Sequence, residues 1–184
     1  MNYVLPSLRL WLVTILVCVI GYVGLILAFA QTAAPYQANG SIIKVDGQAV
    51  GSELIAQEFR SPRYFWPRPS AAGYDGIGAA GSNLSPTSAN LAARAAETVA
   101  RYGATADDPV PADLVAASGG GLDPHISLAG ALYQADRVAA ARGLDPARVR
   151  DLIEHQAAAP GAIFAPGRIV NVLQLNLALD RLEE

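Results

Sequence analysis

The sequence predicts an α+β protein: a single N-terminal transmembrane helix followed by a helix-dominated exported domain with a small antiparallel sheet. Three observations carry this expectation. An uninterrupted apolar stretch runs from Leu10 to Ala30, nearly all charge follows it, and the later chain alternates capped helical periodicities with one hairpin signal. Of 184 residues, 52% are hydrophobic and only 16% are charged, with a mean hydropathy of +0.29; soluble domains carry about 25% charge. Arg9 is the only charged side chain before Lys44. Beyond position 30, twelve basic residues stand against sixteen acidic ones, a formal net charge of −4 on a stretch long enough to bury one core. Neither the sign nor any clustering of Arg and Lys favours phosphate, which excludes a basic nucleic-acid binder. A wholly disordered chain and a multi-span transporter are excluded as well.

Leu10 to Ala30 holds twenty-one residues without a charge. Coiled as an α-helix they span about 30 Å, the hydrocarbon thickness of a bilayer, and a helix satisfies its own backbone where lipid offers no partner. Trp11 and Tyr36 are placed to sit among headgroups. Arg9 and the amino terminus precede the stretch, and thirteen uncharged residues, Gln31 to Ile43, follow it. The positive-inside tendency therefore puts the N-terminus in the cytoplasm and the remainder outside. Ala28-Phe29-Ala30 has the small-x-small form of a signal-peptide cleavage site, but the apolar run exceeds the roughly 7 to 15 residues usual for a signal. The expected division is a cytoplasmic N-terminus (1–9), a transmembrane helix (10–30), a juxtamembrane linker (31–40) and an extracytoplasmic domain (41–184), in a single-pass membrane protein. Cys18, the single cysteine, lies in the apolar run, so neither an intrachain disulfide nor a Cys-rich metal site can form.

Ser41 to Gly51 predicts a hairpin, with Ile42, Ile43 and Val45 as β-formers and Asp46-Gly47 as the two-residue turn. Ser52 is positioned to cap a short helix carrying Ile55 and Phe59 on one face. Arg60 to Pro86, rich in proline and glycine, predicts an ordered irregular segment pinned by Tyr64, Phe65, Trp66 and Tyr74. A helix is expected from Ser88 to Tyr102 with Leu91, Ala95, Val99 and Tyr102 on its apolar side and Gly103 ending it. Pro111 opens a short helix that stops at Gly119-Gly120-Gly121. Ser127 caps the longest soluble helix, to Arg142, with Leu128, Leu132, Ala135 and Ala139 inward and Gly143 closing it. Asp145-Pro146 starts another, burying Val149, Leu152, Ile153 and Ala157. Ile169-Val170 suggests a strand, and Asn171 with Gln174 matches a capping box for a helix through Leu182.

The densest polar group is Ser118, Asp123, His125 and Ser127 around the triple glycine. A serine hydrolase needs those residue types, but contiguous turn residues rarely adopt triad geometry, and no G-x-S-x-G elbow is present. Two potential ligands at Asp123 and His125 do not make a metal site. The architectural alternative has Asp123 accepting backbone N–H groups in a turn, His125 donating to a loop carbonyl and Ser127 capping. The glycines lack the lysine or the spacing of a nucleotide-binding loop. Arg63 and Arg68 beside Tyr64-Phe65-Trp66 have the composition of a protein-binding patch, or equally of side chains stacked on their own domain. Ser82 and Asn83 after Gly81 predict a self-bonded turn.

Taken in order, these segments resemble the C subunit of the bacterial potassium-transporting P-type ATPase, the Kdp system. The likeness covers nearly the whole chain. It runs through Gly51-Ser52-Glu53-Leu54-Ile55, Gln57, Tyr64-Phe65, Arg68-Pro69-Ser70 and Gly81-Ser82-Asn83-Leu84. Asp113-Leu114-Val115, Ala117-Ser118 and Gly121-Leu122-Asp123-Pro124-His125-Ile126-Ser127 form its most specific part. Gln134, Arg137-Val138-Ala139, Ala141-Arg142-Gly143, Asn171-Val172-Leu173 and Leu175-Asn176-Leu177-Ala178-Leu179-Asp180 complete it. Ala80, Ser85, Ala116, Gly120 and Leu128 depart from the family pattern without touching its charged or histidine positions.

The resemblance implies a non-catalytic accessory subunit, anchored by one helix beside a potassium channel-like subunit, a P-type ATP-hydrolysing subunit and a small accessory membrane subunit. It implies roles in assembling or stabilising that complex and in raising the ATP affinity of the hydrolysing subunit. ATP is the only cofactor it suggests, with Gln134 as the matching position; the exported topology separates Gln134 from cytoplasmic ATP and leaves an influence through membrane helices. Interaction candidates are Arg63, Tyr64, Phe65, Arg68, Ser82, Asn83, Ser118, Asp123, His125, Ser127, Asn171, Asn176 and Asp180. Without the resemblance, the residues support an exported, membrane-tethered binding module or, more remotely, a small exported hydrolase.

Overall fold

The computed structural model describes residues 3–161 and 167–182. The chain forms two compact units, Met1–Val50 and Gly51–Glu184. In the first, α1 (Val4–Thr14), a π-helical segment (Ile15–Tyr22) and α2 (Val23–Ala33) form one rod, Val4–Ala33, long and apolar enough to cross a membrane and buried nowhere along its length. The rod exceeds the expected span at both ends. Its threonine hydroxyls are satisfied internally: Thr14 Oγ1 donates to the Leu10 carbonyl at 2.9 Å and Thr32 Oγ1 to that of Ala28 at 3.0 Å. Helix ends at Ala34, which leaves helical geometry (φ −147°) because proline follows. The expected linker holds a helical turn, α3 (Pro35–Ala38), tied back by reciprocal amide bonds between Gln31 and Asn39. Strands β1 (Ile42–Val45) and β2 (Gln48–Ser52) pair through Asp46 and Gly47, both at positive φ (51° and 79°), as a type I′ turn requires.

In the second unit the helix expected after Ser52 is not formed. Ser52 Oγ accepts the Leu54 N–H at 3.1 Å, closing a local turn, and the Ala56 N–H then donates to the Leu122 carbonyl at 2.9 Å. These two bonds divert the backbone before a helical ladder can start. Residues 53–88 carry no helix or strand. Helix α4 (Ala89–Tyr102) ends at Gly103, φ 66°. It buries no residue fully, and Val99, expected inward, is 39% exposed; Leu91, Arg94, Ala95, Thr98 and Tyr102 form its covered side. Helix α5 (Ala112–Val115) is capped by Pro111 and stops four residues before Gly119, because Ala116 turns extended.

Helix α6 (Leu128–Arg142) starts where Ser127 Oγ accepts the Gly130 N–H at 2.8 Å and ends at Gly143 in the left-handed region. Leu128 and Leu132 are only half-buried, while Ala131, Gln134, Ala135, Val138 and Ala139 are the inward positions. In α7 (Pro146–Gln156), Asp145 caps the Ala147 N–H and Pro146 holds the first turn. Strand β4 (Ile169–Asn171) pairs antiparallel with β3 (His125–Ser127) in the register His125↔Asn171, so the described residues form two small sheets rather than one. Helix α8 (Val172–Asp180), capped by Asn171 Oδ1 on the Gln174 N–H at 3.1 Å, is the central element: Val172, Leu173, Leu175, Asn176 and Leu179 are all buried. Phe65, Ile126, Val138, Ile153 and Val170 close around it in one apolar core.

Candidate functional site

The segment Ser61 to Trp66 has no strand or helix to satisfy its backbone, yet Phe65 is fully buried and Trp66 nearly so. Buried carbonyls must find donors. All six of its consecutive carbonyls do so through side chains. Trp66 Nε1 donates to Ser61, Arg137 Nη1 to Pro62 at 2.6 Å, Arg142 Nε to Arg63 at 2.7 Å and Arg137 Nη2 to Tyr64 at 3.1 Å. Asn176 Nδ2 then donates to Phe65 at 3.1 Å and Gln134 Nε2 to Trp66 at 3.1 Å. The two amides also accept in return: Asn176 Oδ1 from the Phe65 N–H and Gln134 Oε1 from the Trp66 N–H, both at 2.8 Å. Side chains of α6 and α8 thus replace the neighbouring strand that this aromatic strap lacks.

The rings are fixed as well. The Arg101 and Arg137 guanidinium carbons lie 3.8 and 3.7 Å from the Trp66 ring centroid, a spacing that admits only one guanidinium per face. Burial lowers the Arg137 pKa to about 10, as desolvation disfavours its charge. Tyr102, packed on Trp66, is pushed up to about 12, again by burial. Arg142 stacks on Tyr64, binds Asp180 Oδ1 at 2.6 Å, and leaves Asp180 Oδ2 to accept from the Tyr64 hydroxyl at 3.3 Å. Arg63 Nη1 reaches the Ala141 carbonyl, tying the strap to the end of α6. Arg63, Tyr64, Phe65, Gln134, Asn176 and Asp180 therefore meet in one place. Arg101, Arg137, Arg142 and Trp66 belong with them. The three arginines lie outside the interaction candidates, although Arg137 and Arg142 are among the residues that carry the family resemblance, and Gln134, Arg137 and Ala141 share a helical face by their spacing.

The polar turn is a second, separately braced cluster. Arg68 Nη1 binds Asp123 Oδ2 at 3.1 Å while its other nitrogens reach the Ala116 and Ala117 carbonyls. Asp123 Oδ1 accepts the His125 N–H at 3.0 Å and faces His125 Nδ1 at 3.3 Å. His125 therefore turns to a carboxylate, not to the loop carbonyl expected, because Asp123 lies two residues back on the same turn. These contacts hold Asp123 below the ordinary carboxylate range, the His125 hydrogen bond first and Arg68 adding to it. Ser118 Oγ accepts the Asp123 N–H, and Ser118 N donates to the Pro69 carbonyl. The Ser127 hydroxyl caps α6 and its N–H binds Asp113 Oδ2 at 2.7 Å. Ser70 Oγ donates to the Gly121 carbonyl at 2.6 Å. Gly121 is required here: at φ 71° a Cβ would lie 2.7 Å from the Ala80 carbonyl oxygen.

Ser82 and Asn83 do not form the self-bonded turn expected of them; among the described residues neither side chain has a hydrogen-bond partner, and Asn83 adopts φ 48°. Asn171 serves twice, capping α8 and donating to the Glu53 carbonyl at 2.8 Å. Among the described residues no group of three or more His, Cys, Asp or Glu is arranged to hold a metal ion.

The family described as KdpC, the K+-transporting ATPase c chain, matches residues 4–181. The chain belongs to the KdpC family. Its similarity to curated potassium-transporting ATPase KdpC subunits extends over full lengths. It is 60% identical to that of Parvibaculum lavamentivorans across 100% of this chain and 98% of the relative. It is 46% identical to that of Cereibacter sphaeroides across 98% and 97%, and 46% identical to that of Mycobacterium tuberculosis across 97% of each. The residues that carry the KdpC likeness in the sequence are largely those bracing the two clusters: Tyr64, Phe65, Arg68, Ser70, Gln134, Arg137, Arg142, Asn176 and Asp180.

Proposed function

We propose that this KdpC-family chain is a non-catalytic accessory subunit that assembles and stabilises a potassium-transporting ATPase complex. Its partners in this reading are a channel-like subunit, a P-type ATP-hydrolysing subunit and a small accessory membrane subunit. The observation that carries it is the extent of the family match, residues 4–181, which includes the exposed apolar rod and the folded domain alike. A rod with Leu10 69% exposed and Leu25 68% exposed needs a lipid or protein surface around it. In this reading the polar turn is architectural: the Ser127 hydroxyl caps α6, and the Asp123 carboxylate accepts the His125 N–H and faces its ring.

The orientation proposed has residues 1–9 in the cytoplasm and the domain outside the inner membrane, following Arg9 and the uncharged stretch after the rod. In the same reading the chain raises the ATP affinity of the hydrolysing subunit from a distance. Gln134 is 1% exposed and both ends of its amide are bound to Trp66, so a nucleotide at Gln134 would have to open the strap. Mild detergent extraction of the tagged chain followed by mass spectrometry tests the assembly: a P-type ATPase and a channel-like protein should co-purify, and a chain that runs alone overturns it. Complex reconstituted without this chain should show a raised KM for ATP; an unchanged KM removes the nucleotide role.

A further inference from the structure

A cavity of about 210 Å³ lies between α4 and the turn that follows the strap, bordered by Arg101 and Tyr102 of the strap cluster and Ser70 of the polar turn. Pro67, Pro69, Tyr74 and Tyr102 wall it, and Glu97 and Arg101 stand at its α4 side. Its walls are held from behind. The Tyr74 hydroxyl donates to the Arg68 carbonyl at 2.9 Å, its N–H binds Ser70 Oγ, and the Tyr102 ring packs on Trp66 and Tyr133. Burial raises the pKa of both tyrosines, so their hydroxyls stay neutral at physiological pH.

The charges are the informative part. Glu97 and Arg101 are four residues apart on one helix with the acid toward the N-terminus, the arrangement that ordinarily gives an ion pair. They do not pair. Arg101 turns instead onto the Trp66 ring and the Phe59 carbonyl, and among the described residues Glu97 has no hydrogen-bond or ion-pair partner. The nearby Glu58 is already engaged with Arg60 at 2.9 Å. Two opposite charges that do not pair with each other thus stand on the α4 wall of one small space lined by rings. Its volume equals that of roughly seven liquid waters, which suits a molecule of about that many heavy atoms.

We propose that this cavity binds a small zwitterion, an α-amino acid or a betaine, with its ammonium group between Glu97 and the tyrosine rings and its carboxylate at Arg101. An ammonium group is attracted both to a carboxylate and to the negative face of an aromatic ring, and a guanidinium retains donors for a carboxylate while stacked. A cation alone would leave the remaining Arg101 donors without a carboxylate, and an anion alone would leave Glu97 without a cation. The preformed walls spare the ligand the cost of ordering them. This inference does not depend on the assembly role, and its readout is independent of partner subunits.

The test is calorimetric titration of the full chain in detergent with glycine betaine, glycine, tetramethylammonium and acetate. Trp66 emission, read in a Trp11→Phe background, reports the same event through Arg101. Saturable binding of at least one of the two zwitterions is expected, with both single-charge ions weaker by about tenfold or more. Tighter binding of glycine betaine assigns the rings as the ammonium seat, and tighter binding of glycine assigns Glu97. Glu97→Gln should weaken the zwitterion about tenfold without moving the thermal midpoint, and Arg101→Lys should retain more affinity than Arg101→Gln. No saturable binding of either zwitterion, equal binding of tetramethylammonium or acetate, or unchanged affinity in Glu97→Gln would overturn the proposal.

Discussion

Gln134 pairs with both backbone groups of Trp66, its Oε1 accepting the N–H at 2.8 Å and its Nε2 donating to the carbonyl at 3.1 Å. A single side chain on α6 thereby does for one residue what a neighbouring strand does in a sheet. Asn176 on α8 does the same for Phe65, one position earlier.

Gln134→Leu removes both bonds while keeping the volume apolar, leaving two buried backbone groups of Trp66 unpaired. The expected loss is about 2–4 kcal/mol, read as a lowered urea midpoint of the full chain in detergent, followed by tryptophan emission. A midpoint within error of wild type would show that the amide is not a structural clamp.

Arg137 serves the Pro62 and Tyr64 carbonyls with one planar fork and covers Trp66 with its face. Lysine keeps the charge but presents neither a fork nor a plane. Arg137→Lys is therefore expected to destabilise by about 1–3 kcal/mol, with a shift in the near-ultraviolet dichroism of Trp66. Equal stability of the two forms would mean that charge alone matters at this position.

Asp123 has a folded-state pKa below its ordinary value of 3.8, first through the His125 hydrogen bond. A depressed carboxyl adds stability above the unfolded value and loses it as pH falls through the folded one. Acid titration of wild type should show stability declining below about pH 3.8. Asp123→Asn should flatten that limb; the carboxylate is 39% exposed, so the difference is modest. An unchanged acid limb would show that the turn does not depend on this charge.

Gly121→Ala introduces a Cβ at positive φ and 2.7 Å from the Ala80 oxygen, where backbone must move. A loss above about 1 kcal/mol is expected from the conformation alone, with more from the contact. Gly120→Ala, where an added Cβ meets nothing within 4 Å, is the matched control and should stay near wild type.

Local chemistry made much of this fold legible. Ser127, Asp145 and Asn171 cap the helices assigned to them, and Asp46-Gly47 makes its turn, because each such signal acts within three or four residues. The failures have one common source. Ser52 was drawn from a helix by bonds that include Leu122, and His125–Ser127 became a strand only because Ile169–Asn171 lies beside it. Val99 fits the period of an inward face, yet α4 has nothing packed over that position. In the candidate site, the aromatic anchors were visible as residue types, whereas the arginine and amide donors that hold them lie about 70 to 110 positions away, with no spacing rule linking the two.

That separation sets an order of events during synthesis. The strap leaves the ribosome early, but the donor for the Phe65 carbonyl follows 111 residues later. Until α8 arrives, a fully apolar ring and several unpaired carbonyls must wait in the unfinished polypeptide, where long-range closure is slow. A nascent chain in that state offers holdase chaperones a ready target, and truncation before Asn176 would leave it there permanently.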